Sequence, residues 1–119
     1  MIISDNAVVK KEVDIEEGTV VMDGAVIQPG TSIRKCSIIN TKASVDHDCI
    51  IGDFVHIAPG ATLSGTVKVG NNSHIGTGAS VIQNVNIGEE CIIGAGSTVV
   101  KDCEDNKTYV GNPAKIKKQ

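Results

Sequence analysis

Branched aliphatic residues return every six positions along almost the whole chain. From Ile3 the steps reach Val9, Ile15, Val21, Ile27, Ile33, Ile39, Val45 and Ile51, then Ile57, Leu63, Val69, Ile75, Val81, Ile87, Ile93 and Val99. All 17 positions are aliphatic, and no insertion interrupts them. Two residues before each stands a small or modest side chain, as at Ala43, Cys49, Ala61, Ser73 and Cys91. One residue after it is often Gly, as at Gly52, Gly70, Gly76, Gly88 and Gly94. A helix cannot use this pattern, because six residues advance it by about one and two-thirds turns and scatter the aliphatics round three sides. In a strand, residues two apart face the same way, so the aliphatic and the small residue both point inward. The following Gly, Asn or Asp then supplies a corner.

Six residues make one short strand and one turn, and three such units close a triangular coil of about 18 residues. The chain holds nearly six coils, which at about 4.8 Å per coil stack into a prism roughly 27 Å tall. After Val99 the register fails, since the next slot is Asp105. We therefore expect an all-β chain: a parallel β-helix over residues 1–100 and a C-terminal cap or arm over 101–119 that protects the last edge. The chain begins almost on the first coil, so no separate N-terminal domain is expected.

Composition agrees with thin stacked layers. One Phe, one Tyr and no Trp cannot fill a conventional sandwich core, whereas Ile, Val and Ala suit short strands. No run approaches a membrane span, and no basic n-region with an apolar stretch opens the chain, which predicts a soluble, unexported protein without membrane insertion. Net charge is −3 with no basic stripe, which argues against nucleic-acid binding. Cys36, Cys49, Cys91 and Cys103 show no C-x-x-C spacing. Cys49 and Cys91 take the small-residue slot, so buried thiols in a reduced, cytoplasmic setting are expected.

The 18-residue coil converts spacing into position. His56 and His74 are 18 apart and each precedes an inward aliphatic, so they should share an outward face on successive coils. His47 lies two residues past Val45, at a corner, and need not meet His56 within one chain. It is flanked by Asp46 and Asp48. A carboxylate on one ring nitrogen fixes the tautomer and leaves the other nitrogen as a base. On the triplet alone, a general base and a solvated corner residue remain equally open. Three histidines also raise a zinc site, but the spacings of nine and 18 do not pair two ligands closely on one chain.

The repeat from Ile3 to about Val100, with the tail Val110-Gly-Asn-Pro-Ala-Lys115, resembles that of the hexapeptide-repeat acyltransferases. Within it the run from Ile39 through NTKASVDHDCIIGDFVHIAPGA to Ala61 is similar to the bacterial sugar O- and N-acetyltransferases, which include sialic-acid O-acetyltransferases and nucleotide-amino-sugar N-acetyltransferases. The resemblance implies a left-handed coil and a homotrimer with sites between subunits. It also implies acetyl-CoA as co-substrate without a metal, and a sugar or amino-sugar acceptor. His47 takes the place of the general base and Asp48 that of its orienting acid, where many relatives carry Glu. Asn40, Asp46 and His56 fall at acceptor-binding positions, with His56 also beside the thioester.

By the same analogy the acetyl-CoA groove involves His56, Gly65, His74, Gly76, Thr77, Gly78, Gly94, Ala95 and Gly96. Lys101, Lys115 and Lys117 are placed to meet phosphates, and the Gly65 N–H to hold the thioester oxygen. His74 is equally readable as an exposed strand histidine, and corner glycines are needed by the repeat in any case. The subgroup usually carries an N-terminal nucleotide-binding domain, which is not expected here. A non-catalytic trimeric scaffold, or a module lacking its acceptor-binding domain, is therefore the alternative. A γ-carbonic-anhydrase-like metal site is a more distant one.

Overall fold

A computed structural model describes residues 1–118, and Gln119, the last residue of the expected arm, lies outside the described residues. The hexapeptide period becomes a parallel β-solenoid of two-residue strands joined by two-residue turns. Its first face stacks Ile2–Ile3, Val20–Val21, Ile38–Ile39, His56–Ile57, His74–Ile75 and Ile92–Ile93, then Thr108–Gly111 and Ala114–Ile116. The second face runs from Val8–Val9 through Ser44–Val45 and Thr62–Leu63 to Thr98–Val99. The third runs from Asp14–Ile15 through Ile50–Ile51 and Lys68–Val69 to Asn86–Ile87. Pairing is in register at 18 residues, as in Ile38 with His56 and His56 with His74.

The inward aliphatics form three columns. Ile39, Ile57, Ile75 and Ile93 are fully buried on the first face, as are Ile27, Val45 and Leu63 on the second. The small residues line the same interior. Where they carry a hydroxyl or thiol, they satisfy backbone that the turns leave open. Ser37 Oγ donates to Gly52 O at 2.8 Å and accepts from Val55 N at 3.0 Å, while Ser73 Oγ does the same for Gly88 O and Cys91 N. No buried side-chain polar atom among the described residues lacks a partner, as a dry interior requires.

Two details depart from the simple repeat. The left-handed backbone position falls three residues after the inward aliphatic, not one. Gly24, Gly60, Gly78 and Gly96 hold it, but so do Asp48, Thr66 and Asn84. Glycine immediately after the aliphatic has another cause, close approach of the next coil: a Cβ on Gly70 would lie 2.6 Å from the Gly88 carbonyl carbon. The second departure is at the C-terminal end. The coil from Ile92 to Thr108 is two residues short, yet Thr108–Gly111 still pairs in parallel and Ala114–Ile116 folds back antiparallel on it. Tyr109 takes the inward slot there, buried, its hydroxyl accepting from Glu104 N at 2.8 Å. The molecule measures 41 × 21 × 20 Å, longer than the expected prism because the first face continues for these two strands.

Cys49, Cys91 and Cys103 are buried and Cys36 is exposed, all as free thiols. Burial pushes the first three upward, Cys103 to about 12. Thiolate is the reactive form. An aromatic disulfide reagent at neutral pH should therefore modify Cys36 alone in the folded protein and all four in denaturant. Fast native reaction at a second cysteine would contradict this packing.

Candidate active site

The corner between the second and third faces carries His47 and Asp48 as its two turn residues. Asp48 has φ of 56°, a conformation that Asp tolerates better than most residues. From it the carboxylate turns back, placing Oδ2 3.0 Å from His47 Nδ1. Asp46 Oδ1 accepts from the His47 backbone N–H at 2.7 Å and fixes the start of the turn. Both side chains of the dyad are exposed, at 59% and 65%. The pair is therefore a screened surface contact that orients the ring and adds little to stability.

Two glycines make room for it. The Asp48 carboxylate lies over Gly30, one coil earlier, and the His47 ring lies over Gly65, one coil later. A Cβ at Gly30 would collide with Asp48 Oδ1, and one at Gly65 with His47 Nε2. The interior supports the same corner from behind. Thr31 Oγ1 donates to Asp46 O at 2.8 Å, and Cys49 Sγ to Ser64 O at 3.2 Å. Beside the ring, Asp46, His47, Ser64, Gly65, Thr66, Gln83 and Asn84 line an open depression of ≈ 410 Å³. Ser64, Thr66, Gln83 and Asn84 were missed by motif reading, although counting in 18s from Asp46, His47 and Asp48 reaches all four.

This geometry suits proton abstraction. With Asp48 accepting at Nδ1, the proton sits there and Nε2 keeps its lone pair, facing the depression. The Gly65 N–H is close by and has no hydrogen-bond partner among the described residues. The corresponding turn N–H groups at another corner show what such a donor holds. Lys35 N is bonded to Asp53 Oδ1 at 3.0 Å, and Glu89 N to Asp105 Oδ1 at 2.8 Å. A backbone donor that elsewhere binds a carboxylate oxygen can bind a developing oxyanion.

His56 and His74 stand apart from this corner, stacked on the first face with ring centroids 4.7 Å apart and planes at 83°. The third face separates them from His47 in the chain. Among the described residues no three potential metal ligands converge. Asn40 contacts His56, its amide nitrogen 3.0 Å from Nε2. Burial, and then His74, lowers His56 below the ordinary histidine range. Asn40 begins the corner between the first and second faces, where Gly76, Thr77, Gly78, Gly94, Ala95 and Gly96 follow on later coils. A Cβ on Gly60, Gly78 or Gly96 would meet nothing within 4 Å, so this corner is a smooth open track beside the two histidines. The lysines divide: Lys101 lies three coils above His47 in its own corner column, while Lys115 pairs with Val110 at the end of the first face.

The fold defines a class of protein, the hexapeptide-repeat solenoids, and residues 66–101 match the family described as bacterial transferase hexapeptide (six repeats). Over these residues the chain carries the hexapeptide repeat of that family. It is similar to the acetyltransferase domain of PglB from Neisseria gonorrhoeae FA1090, with 46% identity and a TM-score of 0.94 over 96% of this chain and 56% of that one; PglB has also been solved with acetyl coenzyme A. It is likewise similar to PerB from Caulobacter crescentus, solved with CoA and GDP-perosamine, with 45% identity and a TM-score of 0.97 over 98% and 56%. WeeI from Acinetobacter baumannii AYE matches at 37% identity and a TM-score of 0.93 over 95% and 56%. Variants of a Caulobacter crescentus perosamine N-acetyltransferase with one histidine replaced by Asn or Ala, also with CoA and GDP-perosamine, match at 42%. The chain spans 56% of the length of these proteins.

Gly65→Ala should push the His47 ring out of the depression and leave the solenoid intact. A crystal structure would show the displaced ring, and the stability change should stay within about 1 kcal/mol. An unmoved ring would mean that Gly65 does not set its position.

Proposed function

We propose that the protein is an acetyl-CoA-dependent acetyltransferase acting on an amine or hydroxyl of a sugar, with a nucleotide-linked amino sugar as the favoured acceptor. The observation that carries this reading is the His47 ring held at Nδ1 by Asp48, with Nε2 open above the unpaired Gly65 N–H. His47 removes the proton from the acceptor as that atom attacks the thioester carbonyl. The Gly65 N–H holds the oxygen as charge develops, and collapse of the tetrahedral species expels the CoA thiolate. No acyl-enzyme is needed. The similarity to PglB and PerB supports this donor and this acceptor class.

The same reading uses a homotrimer of left-handed coils in the cytoplasm. Its support is the outward column of the first face, where Ile38 and Ile92 are exposed beside the histidine pair, an apolar strip suited to a neighbour. Packing that face against the His47 corner of a second copy would bring His56 to the base and run the glycine track of one subunit along the other. Asn40, Asp46 and His56 then lie toward the acceptor, with His74, Gly76, Thr77, Gly78, Gly94 and Ala95 along the pantetheine arm. Lys101 and Lys115 would take the phosphates.

Two measurements test the proposal. Acetyl-CoA should raise the melting temperature, and CoA release with GDP-perosamine or another nucleotide-linked 4-amino sugar should fall about 10²–10⁴-fold in His47→Ala. Turnover that ignores His47→Ala would overturn the mechanism, and absence of acetyl-CoA binding would favour the scaffold. The shared site gives a second expectation. His47→Ala and His56→Ala chains, each inactive alone, should regain activity when refolded together, because some interfaces combine the intact His47 of one with the intact His56 of the other. A monomer in light scattering, or no recovery on mixing, would remove the shared site.

A further inference from the structure

His47 and His56 are both bonded through one ring nitrogen, but to partners of opposite character. Asp48 can only accept, so it fixes the proton on the nitrogen it touches. For Asn40 the question is which end of the amide faces the ring, and a neighbour answers it. Asn40 Oδ1 accepts from the Thr41 backbone N–H at 2.7 Å and lies 3.3 Å from the Thr41 hydroxyl. Turning the amide over would set its NH₂ against that N–H, donor against donor. The NH₂ end therefore faces His56 Nε2 at 3.0 Å, and a nitrogen that accepts a hydrogen bond carries no proton.

We infer that Asn40 is a positioning residue that acts through His56, holding it as the neutral Nδ1–H tautomer and so making it a hydrogen-bond donor, not a second base. The two histidines then share one tautomer and offer opposite nitrogens: His47 a bare Nε2, His56 a free Nδ1–H. This deepens the acetyltransferase reading, and its place in catalysis rests on it. His56 becomes a second donor for the thioester oxygen or sulfur beside Gly65, and it does not compete for the acceptor's proton. The groups around His56 favour the neutral ring. Ile38 lies one rung before it and His74 one rung after, Asn40 and Thr41 are uncharged, and the one charge acting on its titration is His74. A depressed histidine contributes stability above about pH 6.5 that is lost as pH falls through its folded pKa.

The test is long-range ¹H–¹⁵N correlation NMR on the ¹⁵N-histidine-labelled full chain without ligands. In the wild type His56 should show a protonated Nδ1 and a bare Nε2, and stay neutral at pH values where a free imidazole is already protonated. In Asn40→Asp the carboxylate accepts, so Nε2 should gain the proton and His56 should titrate at higher pH. Asn40→Ala should give a mixture of tautomers. A wild-type His56 with the proton on Nε2, or an Asn40→Asp spectrum unchanged at His56, would overturn the inference, and the first result decides the matter even if no variant folds. Kinetics supply a separate arm: Asn40→Asp should lower kcat for acetyl transfer about tenfold or more. If the tautomer is as inferred but acetyl-CoA neither binds nor reacts, the acetyltransferase reading fails and the positioning role stands.

Discussion

Everything in this molecule depends on the parallel backbone ladder between coils. His56 N bonds Ser73 O at 3.0 Å, Ala58 N bonds Ile75 O at 2.9 Å, and the same step recurs from the second residue almost to the end. Short strands of two residues would be worthless in isolation, since a lone pair of short strands is marginal in water. Here each gains neighbours above and below, and its single inward aliphatic joins a column that water cannot enter. The ladder also makes each side chain's surroundings a matter of arithmetic. What lies above residue n is residue n plus 18, over most of the chain.

Because of that arithmetic the fold was nearly all legible. The aliphatic series gave the coils, the small-residue series gave the second inward position, and the pair His56 and His74 fell on one face as counted. The turn chemistry was less legible. Gly70 and Gly60 look alike as letters, yet one yields space to the next coil and the other supplies a left-handed corner. Asp48, Thr66 and Asn84 adopt that corner without glycine, because the ladder on both sides holds the turn at a modest local strain. The final coil was illegible for a different reason. It drops two residues and replaces the aliphatic by Tyr109, so the period gave no sign that the sheet continues to Thr108–Gly111.

The candidate site was half legible. His47 and Asp48 were visible as a triplet with Asp46, and Gly65 through resemblance as an oxyanion donor. The room that Gly30 and Gly65 make for the two side chains was not, because it depends on side-chain direction that spacing does not give. Gln83 and Asn84 carry no motif and enter only through their column. The hydrogen bond from Asn40 to His56 was beyond any sequence rule, since it depends on how the Thr41 N–H orients an amide. The separation of His47 and His56 was legible from spacing: nine residues apart, they stand on opposite sides of the third face.

The register that places Gly30 under Asp48 and Gly65 over His47 has a consequence for how such a protein can change through descent. A single inserted or lost residue between Gly30 and Gly65 would slide every later column by one place and exchange inward for outward side chains at a stroke. Point substitution leaves the columns alone, and so does gain or loss of a whole coil outside that interval. The heritable unit of length is therefore the coil. The shortened turn of the spiral before Thr108 comes after the coils that carry His47, Gly30 and Gly65, so its irregular length displaces none of the columns that build the site.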